Sequence, residues 1–96
     1  MPTYIIQGNY TQQGAKNMKG SPERLDAVKQ AVQAAGGDVK GFYLTMGQYD
    51  MLMIVDMPND EALLKMVISA AGEGNVSTEP FRAFTEDEYR ALAANL

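Results

Sequence analysis

Gly47-Gln48-Tyr49-Asp50-Met51-Leu52-Met53-Ile54-Val55-Asp56-Met57 is the stretch on which the fold turns. It opens on a turn and runs on as an apolar strand. Glycine tolerates the positive φ that tight connections between antiparallel strands require, and a two-residue loop with Gly47 first suits a type II′ turn. The run Val39 to Met46 before it is also β-rich. The pair Gly47-Gln48 therefore reads as the tip of a hairpin with strands of roughly 38–46 and 49–57. Alternate strand residues point to opposite faces, which sets Met51, Met53 and Val55 against Leu52 and Ile54. A strand with one wet face alternates apolar and polar residues; this one is apolar on both sides, so both faces of the sheet centre are expected to be covered.

Working outward, Thr3 to Gly8 reads as a first strand. Thr11 is placed to cap a short helix through Met18, weakened at Gly14 by about 1 kcal/mol relative to alanine. Ser21 is read as the N-cap of a longer helix, with Pro22 at its first position and Glu23 near the positive end of its dipole. Its apolar stripe is Leu25, Val28 and Val32, with Ala31 and Ala35 beside it, and Gly36-Gly37 ends it. After the hairpin, Asn59 caps a second helix with Asp60 and Glu61 in its first turn. Leu63, Met66, Val67 and Ala70 form its buried face, and Gly72 and Gly74 terminate it. Asn75 to Ala83 reads as a fourth strand, and Pro80 inside it implies a sheet edge. Thr85 with Glu88 three residues on is a capping box, opening a C-terminal helix with Tyr89, Leu92 and Leu96 on one side.

The order is β-α-β-β-α-β plus a tail helix: one α+β domain over residues 1–96, of the ferredoxin-like split arrangement, with an antiparallel sheet ordered 4-1-3-2. Two helices cover one sheet face and leave the other bare. An apolar face of several hundred Å² normally marks an interface. The expected answer is a homodimer paired through the open sheet faces; the alternative is that the tail helix folds over the bare face.

Composition narrows the function classes. The chain has a formal net charge of −4, which disfavours nucleic acid and anionic membrane surfaces as partners. It has no cysteine and no histidine, so thiolate chemistry, the commonest general base and the commonest transition-metal ligand are out of reach, and no cofactor or metal is expected. No apolar run approaches the roughly 20 residues that cross a bilayer, and the start Met1-Pro2-Thr3-Tyr4 does not read as a signal peptide, so a cytoplasmic protein is expected. The methionines Met46, Met51, Met53, Met57 and Met66 read as adaptable core filler rather than a soft-metal site. The acidic run Glu86-Asp87-Glu88 suits a helix start better than a metal.

In a 4-1-3-2 sheet the end of strand one and the starts of strands three and four share one edge. Asn9, Tyr49, Asp50 and Asn75 therefore belong to one end, and Arg82 to the other. A cleft there, between sheet and helices, would take a small polar or aromatic ligand, with Asn9, Tyr43, Tyr49, Asp50 and Asn75 as candidate contacts and no catalytic residue singled out. Asp50 has two readings: a ligand contact or general base, or a turn residue accepting backbone N–H bonds. Gln7 reads either as a pocket group or as a satisfied interior amide.

The Gly47-Gln48-Tyr49-Asp50 turn resembles the signature of the GYD domain family, small bacterial proteins of mostly unestablished function. The resemblance extends over Met1-Pro2-Thr3-Tyr4, Thr11 to Gly14, Ser21 to Leu25, Phe42 to Gly47, Gly74-Asn75-Val76 and Arg82 to Thr85. It implies a dimeric α/β-barrel protein. That architecture often houses small cofactor-independent monooxygenases or isomerases, which makes such an enzyme the alternative to a non-catalytic binding protein.

Overall fold

The computed structural model of the chain describes residues 1–96. The elements are β1 (Thr3–Tyr10), α1 (Gln12–Lys16), a 3-10 turn (Met18–Gly20), α2 (Ser21–Ala34), β2 (Asp38–Leu44), β3 (Met51–Asp56), α3 (Asp60–Gly72), β4 (Val76–Ala83) and α4 (Glu86–Ala94). The sheet is antiparallel and ordered β2-β3-β1-β4, the 4-1-3-2 arrangement read from the other edge. β3 and β1 are central. Pro80 lies in β4, an edge strand, where the missing N–H costs no ladder bond.

Helices α2 and α3 cover one face. Tyr4, Ile6, Met53, Val55 and Met57 from the sheet side meet Val32 of α2 and Leu63 of α3 in one core, all of them less than a tenth exposed. Met51, Met53 and Val55 point into it, as the strand alternation requires. The core is small, as a chain of this length allows. Met46 departs from the methionine pattern. It lies at the hairpin tip, 97% exposed, where nothing packs on it.

The hairpin keeps the expected register but not its full length. Leu44 faces Met51 and Tyr43 faces Leu52, the pairing that a loop centred on Gly47-Gln48 imposes. The ladder nevertheless opens early: Thr45 donates its N–H to the Asp50 carbonyl at 2.8 Å and its hydroxyl to the Tyr49 carbonyl at 2.6 Å, and the chain beyond is loop. Gly47 sits at φ 97°, the left-handed region that glycine enters without strain. Toward the other end of β2, a register shift between Val39 and Gly41 leaves Lys40 bulged outward to pair with Asp38 and Asp56 at 3.1 and 3.7 Å.

One helix start and one helix end differ from expectation. Ser21 is not an N-cap. The preceding 3-10 turn runs directly into α2, so Gly20 holds the cap position and Ser21 is already helical. Its hydroxyl turns to the Tyr10 hydroxyl at 3.3 Å instead. The helix opened by Thr11 stops at Lys16 rather than Met18. Gly14 within it is buried against the start of β4, where a Cβ would lie 2.1 Å from the Asn75 carbonyl oxygen. Asn59 does cap α3, accepting the Ala62 N–H at 2.9 Å.

The capping box of α4 is complete: Glu88 N–H donates to the Thr85 hydroxyl at 3.2 Å, and Thr85 N–H to the Glu88 carboxylate at 2.9 Å. That N–H bond, chiefly, holds the Glu88 carboxyl below its ordinary value, assisted by the Thr85 hydroxyl and by Arg82 against partial desolvation. The folded pKa is the depressed one, so the contribution is fully present above the ordinary glutamate range and is lost as pH falls through the folded value. The Thr85 amide shift is therefore expected to titrate with Glu88 below the ordinary 4.5, with the first turn of α4 fraying, and Glu88→Gln is expected to abolish that step. A Thr85 amide indifferent to acid would contradict the box.

Candidate functional site

The five candidate residues fall into three places. Asn9 and Asp50 form a clamp between the end of β1 and the start of β3. The Asp50 N–H is shared between the Gly8 carbonyl and the Asn9 side-chain oxygen, both at 2.9 Å. One Asp50 carboxylate oxygen accepts the Tyr10 N–H at 3.0 Å. This is the backbone-accepting use of aspartate, with its donor 40 residues away across the sheet. Replacing Asp50 with alanine strands the half-buried Tyr10 N–H and is expected to cost about 2 kcal/mol, whereas Asp50→Asn keeps an acceptor and loses less. Denaturant midpoints for the two variants check this; equal losses would contradict the clamp.

Tyr43 and Tyr49 belong to the open side of the sheet. Tyr43 lies beside Leu52 and is 57% exposed. The Tyr49 hydroxyl donates to the Glu79 carboxylate, which, with partial burial, raises its pKa. Together with Gln7 and Leu52, Tyr49 lines a shallow depression of about 230 Å³. Gln7 is thus on the open face, between Leu52 and Glu79, and not in the interior.

Asn75 stands apart from both groups. Its carbonyl accepts the Thr11 N–H at 3.0 Å and its side-chain oxygen accepts from the Gln13 amide at 3.1 Å, fastening α1 to the start of β4. The cleft expected between sheet and helices exists, and Asn75 is the one candidate that lines it. It encloses about 110 Å³ and is mostly apolar, with Ile6, Phe42, Met51 and Met53 from the sheet against Leu25 and Val28 of α2 and Met66 and Val67 of α3. Its polar groups are Tyr10, Ser21, Arg24, Glu73, Asn75 and Thr78. Of these, Asn75 alone is among the candidate contacts; Tyr10, Ser21, Arg24, Glu73 and Thr78 are not. One signal was available: Arg24 is a cation within the first turn of a helix, where the macrodipole disfavours it.

At the far end of β1, Tyr4 is buried and donates its hydroxyl to Asp60, a bond that together with burial raises its pKa. Arg82 lies there too, stacked 4.4 Å from the Phe84 ring centre and donating to the Thr3 carbonyl at 3.1 Å. It is remote from Asp50 in the register, as expected from topology. No group of three carboxylates converges where a metal ion could be held, and no helix is long and apolar enough to cross a membrane.

The fold is that of a small ferredoxin-like α+β protein. The GYD domain model matches residues 4–93, and the chain belongs to the GYD domain family. It is 29% identical over 84 residues to a Thermus thermophilus protein named "Glutamine synthetase and cystathionine beta-lyase binding protein", covering 86% of this chain and 88% of that one. Among solved structures it is similar to TTHA0845 of Thermus thermophilus, with a TM-score of 0.54 and 22% identity over 88% of this chain and 95% of the other. It is also similar to the leucine response regulatory protein LrpA of Mycobacterium tuberculosis, with a TM-score of 0.56 and 14% identity over 88% of this chain and 51% of the other. These structural likenesses bear on the fold alone.

Proposed function

We propose that the chain is a non-catalytic binding protein that acts as a homodimer, two copies pairing through their open sheet faces. The observation that carries this is the face itself. Ile5, Leu52 and Ile54 occupy its centre, with Tyr43 and Phe81 flanking them at 57% and 44% exposure, and no element of the chain lies over it. The tail helix does not supply the cover. None of the residues of α4 is buried, and it leaves Tyr89 and Leu92 more than half exposed, with Phe84 just before it in the same state. A second copy removes these surfaces from water together; stable interfaces bury about 800 Å² per partner.

Each copy retains the small cleft between sheet and helices for a ligand. The relative named for binding glutamine synthetase and cystathionine beta-lyase supports metabolic enzymes as protein partners, and partners of that kind go with a bacterial cytoplasmic setting. Enzymatic action has less support. The Asp50 carboxylate is engaged by the Tyr10 N–H and lies outside the cleft lining. Size-exclusion chromatography with light scattering tests the pairing. Twice the chain mass of 10.5 kDa is expected; a single chain's mass at every concentration would overturn it.

A further inference from the structure

The cleft between the sheet and helices is lined by a cation whose hydrogen-bonding capacity the fold meets only in part. Arg24 lines it, and while its Nη1 donates to the Asn17 carbonyl at 2.9 Å, its Nη2 is buried with no hydrogen-bond partner. It is the one buried side-chain polar atom in the chain in that state. A buried donor on a cation is expensive to leave unpaired. Arg24 also sits in the first turn of α2, so the helix dipole does not explain it. Beside it, the Tyr10 and Ser21 hydroxyls are 3.3 Å apart, each with hydrogen-bonding capacity to spare. The rest of the lining is mainly aliphatic and thioether.

We propose that this cleft takes a small apolar carboxylate, its carboxylate on the Arg24 guanidinium and the adjoining hydroxyls and its hydrocarbon among Leu25, Val28, Met53 and Met66. The proposal rests on the reading above that the cleft holds a small ligand, and adds its chemical class. Guanidinium is the cation whose planar fork matches a carboxylate. Size limits the tail: about 110 Å³ is below the roughly 150 Å³ of an apolar cavity that binds benzene, so a short branched chain fits and a nucleotide does not. Glu73 also lines the cleft and is exposed, so the lining carries one carboxylate that can be tested as a partner for an α-ammonium group.

Calorimetric titration with isovalerate, L-valine and isoamyl alcohol separates the possibilities. Isovalerate or L-valine is expected to bind at least about tenfold more tightly than the alcohol, and Arg24→Gln to abolish that preference while leaving the alcohol's affinity in place. If L-valine is the tighter of the two and Glu73→Gln removes its advantage, the ligand is an amino acid; if not, it is a simple acid. Circular dichroism verifies folding of the variants, and Arg24→Lys, which keeps the charge without the fork, is expected to retain only part of the preference. Equal binding of acid and alcohol would overturn the carboxylate assignment and leave a ligand-binding cleft. Absence of binding by all three would overturn both.

Discussion

Gly14→Ala is expected to destabilise the protein by about 3 kcal/mol, although alanine is the better helix former by about 1 kcal/mol. The sign is decided by what lies opposite. An added Cβ would stand 2.1 Å from the Asn75 carbonyl oxygen, with the Asn75 carbonyl carbon at 3.0 Å and its Cα at 3.2 Å. These are main-chain atoms, so no rotamer change relieves the overlap. The Asn75 carbonyl also accepts the Thr11 N–H, and the neighbouring Gly74 carbonyl accepts the Thr11 hydroxyl at 2.6 Å. Moving one strand start therefore disturbs both bonds and the seat of α1. Thermal or urea denaturation measures the loss. Unchanged or increased stability would mean that α1 does not rest on β4 in solution.

Leu52→Lys is expected to weaken self-association by at least about 100-fold, the cost of even one such charge, while leaving the fold of each subunit intact. Leu52 is on the side of β3 away from the core, beside Tyr43 and Gln7, so the change does not touch the packing under the helices. In the proposed dimer it is central. Two-fold symmetry brings two new ammonium groups into a dry interface, and one unpaired buried charge costs about 3–5 kcal/mol. Sedimentation at several concentrations reads the dissociation constant. Unaltered association would place the contact elsewhere, and loss of the far-ultraviolet dichroism would show that Leu52 serves the subunit itself.

How much of this was legible in the sequence depends on the range of each interaction. The capping box of Thr85 and Glu88, the Asn59 cap and the alternation along Met51 to Val55 are local signals, and all three appear as read. Strand order followed from element order and from Pro80. The hairpin register was right because glycine at position 47 has few alternatives, but nothing local marks how far the ladder frays. Gly14 looked like a weak helix residue because its reason lies far along the chain, at Asn75. Ser21 looked like a cap because sequence does not show that a 3-10 turn would already have begun the helix. Of the candidate site, topology brought Asn9, Tyr49, Asp50 and Asn75 to one sheet end, but their side chains divide among separate surroundings there. Which of them enter the cleft depends on side-chain direction across strands and helices that meet only in the fold; of the polar lining, Asn75 was legible and Tyr10, Ser21, Arg24, Glu73 and Thr78 were not.

The most direct test of the proposed pairing is an isotope-filtered NMR experiment on a mixture of labelled and unlabelled chains. Intermolecular contacts from the methyl groups of Ile5, Leu52 and Ile54 to the unlabelled copy are expected. Those methyls giving no intermolecular contact, and open to a dissolved paramagnetic probe, would contradict the account.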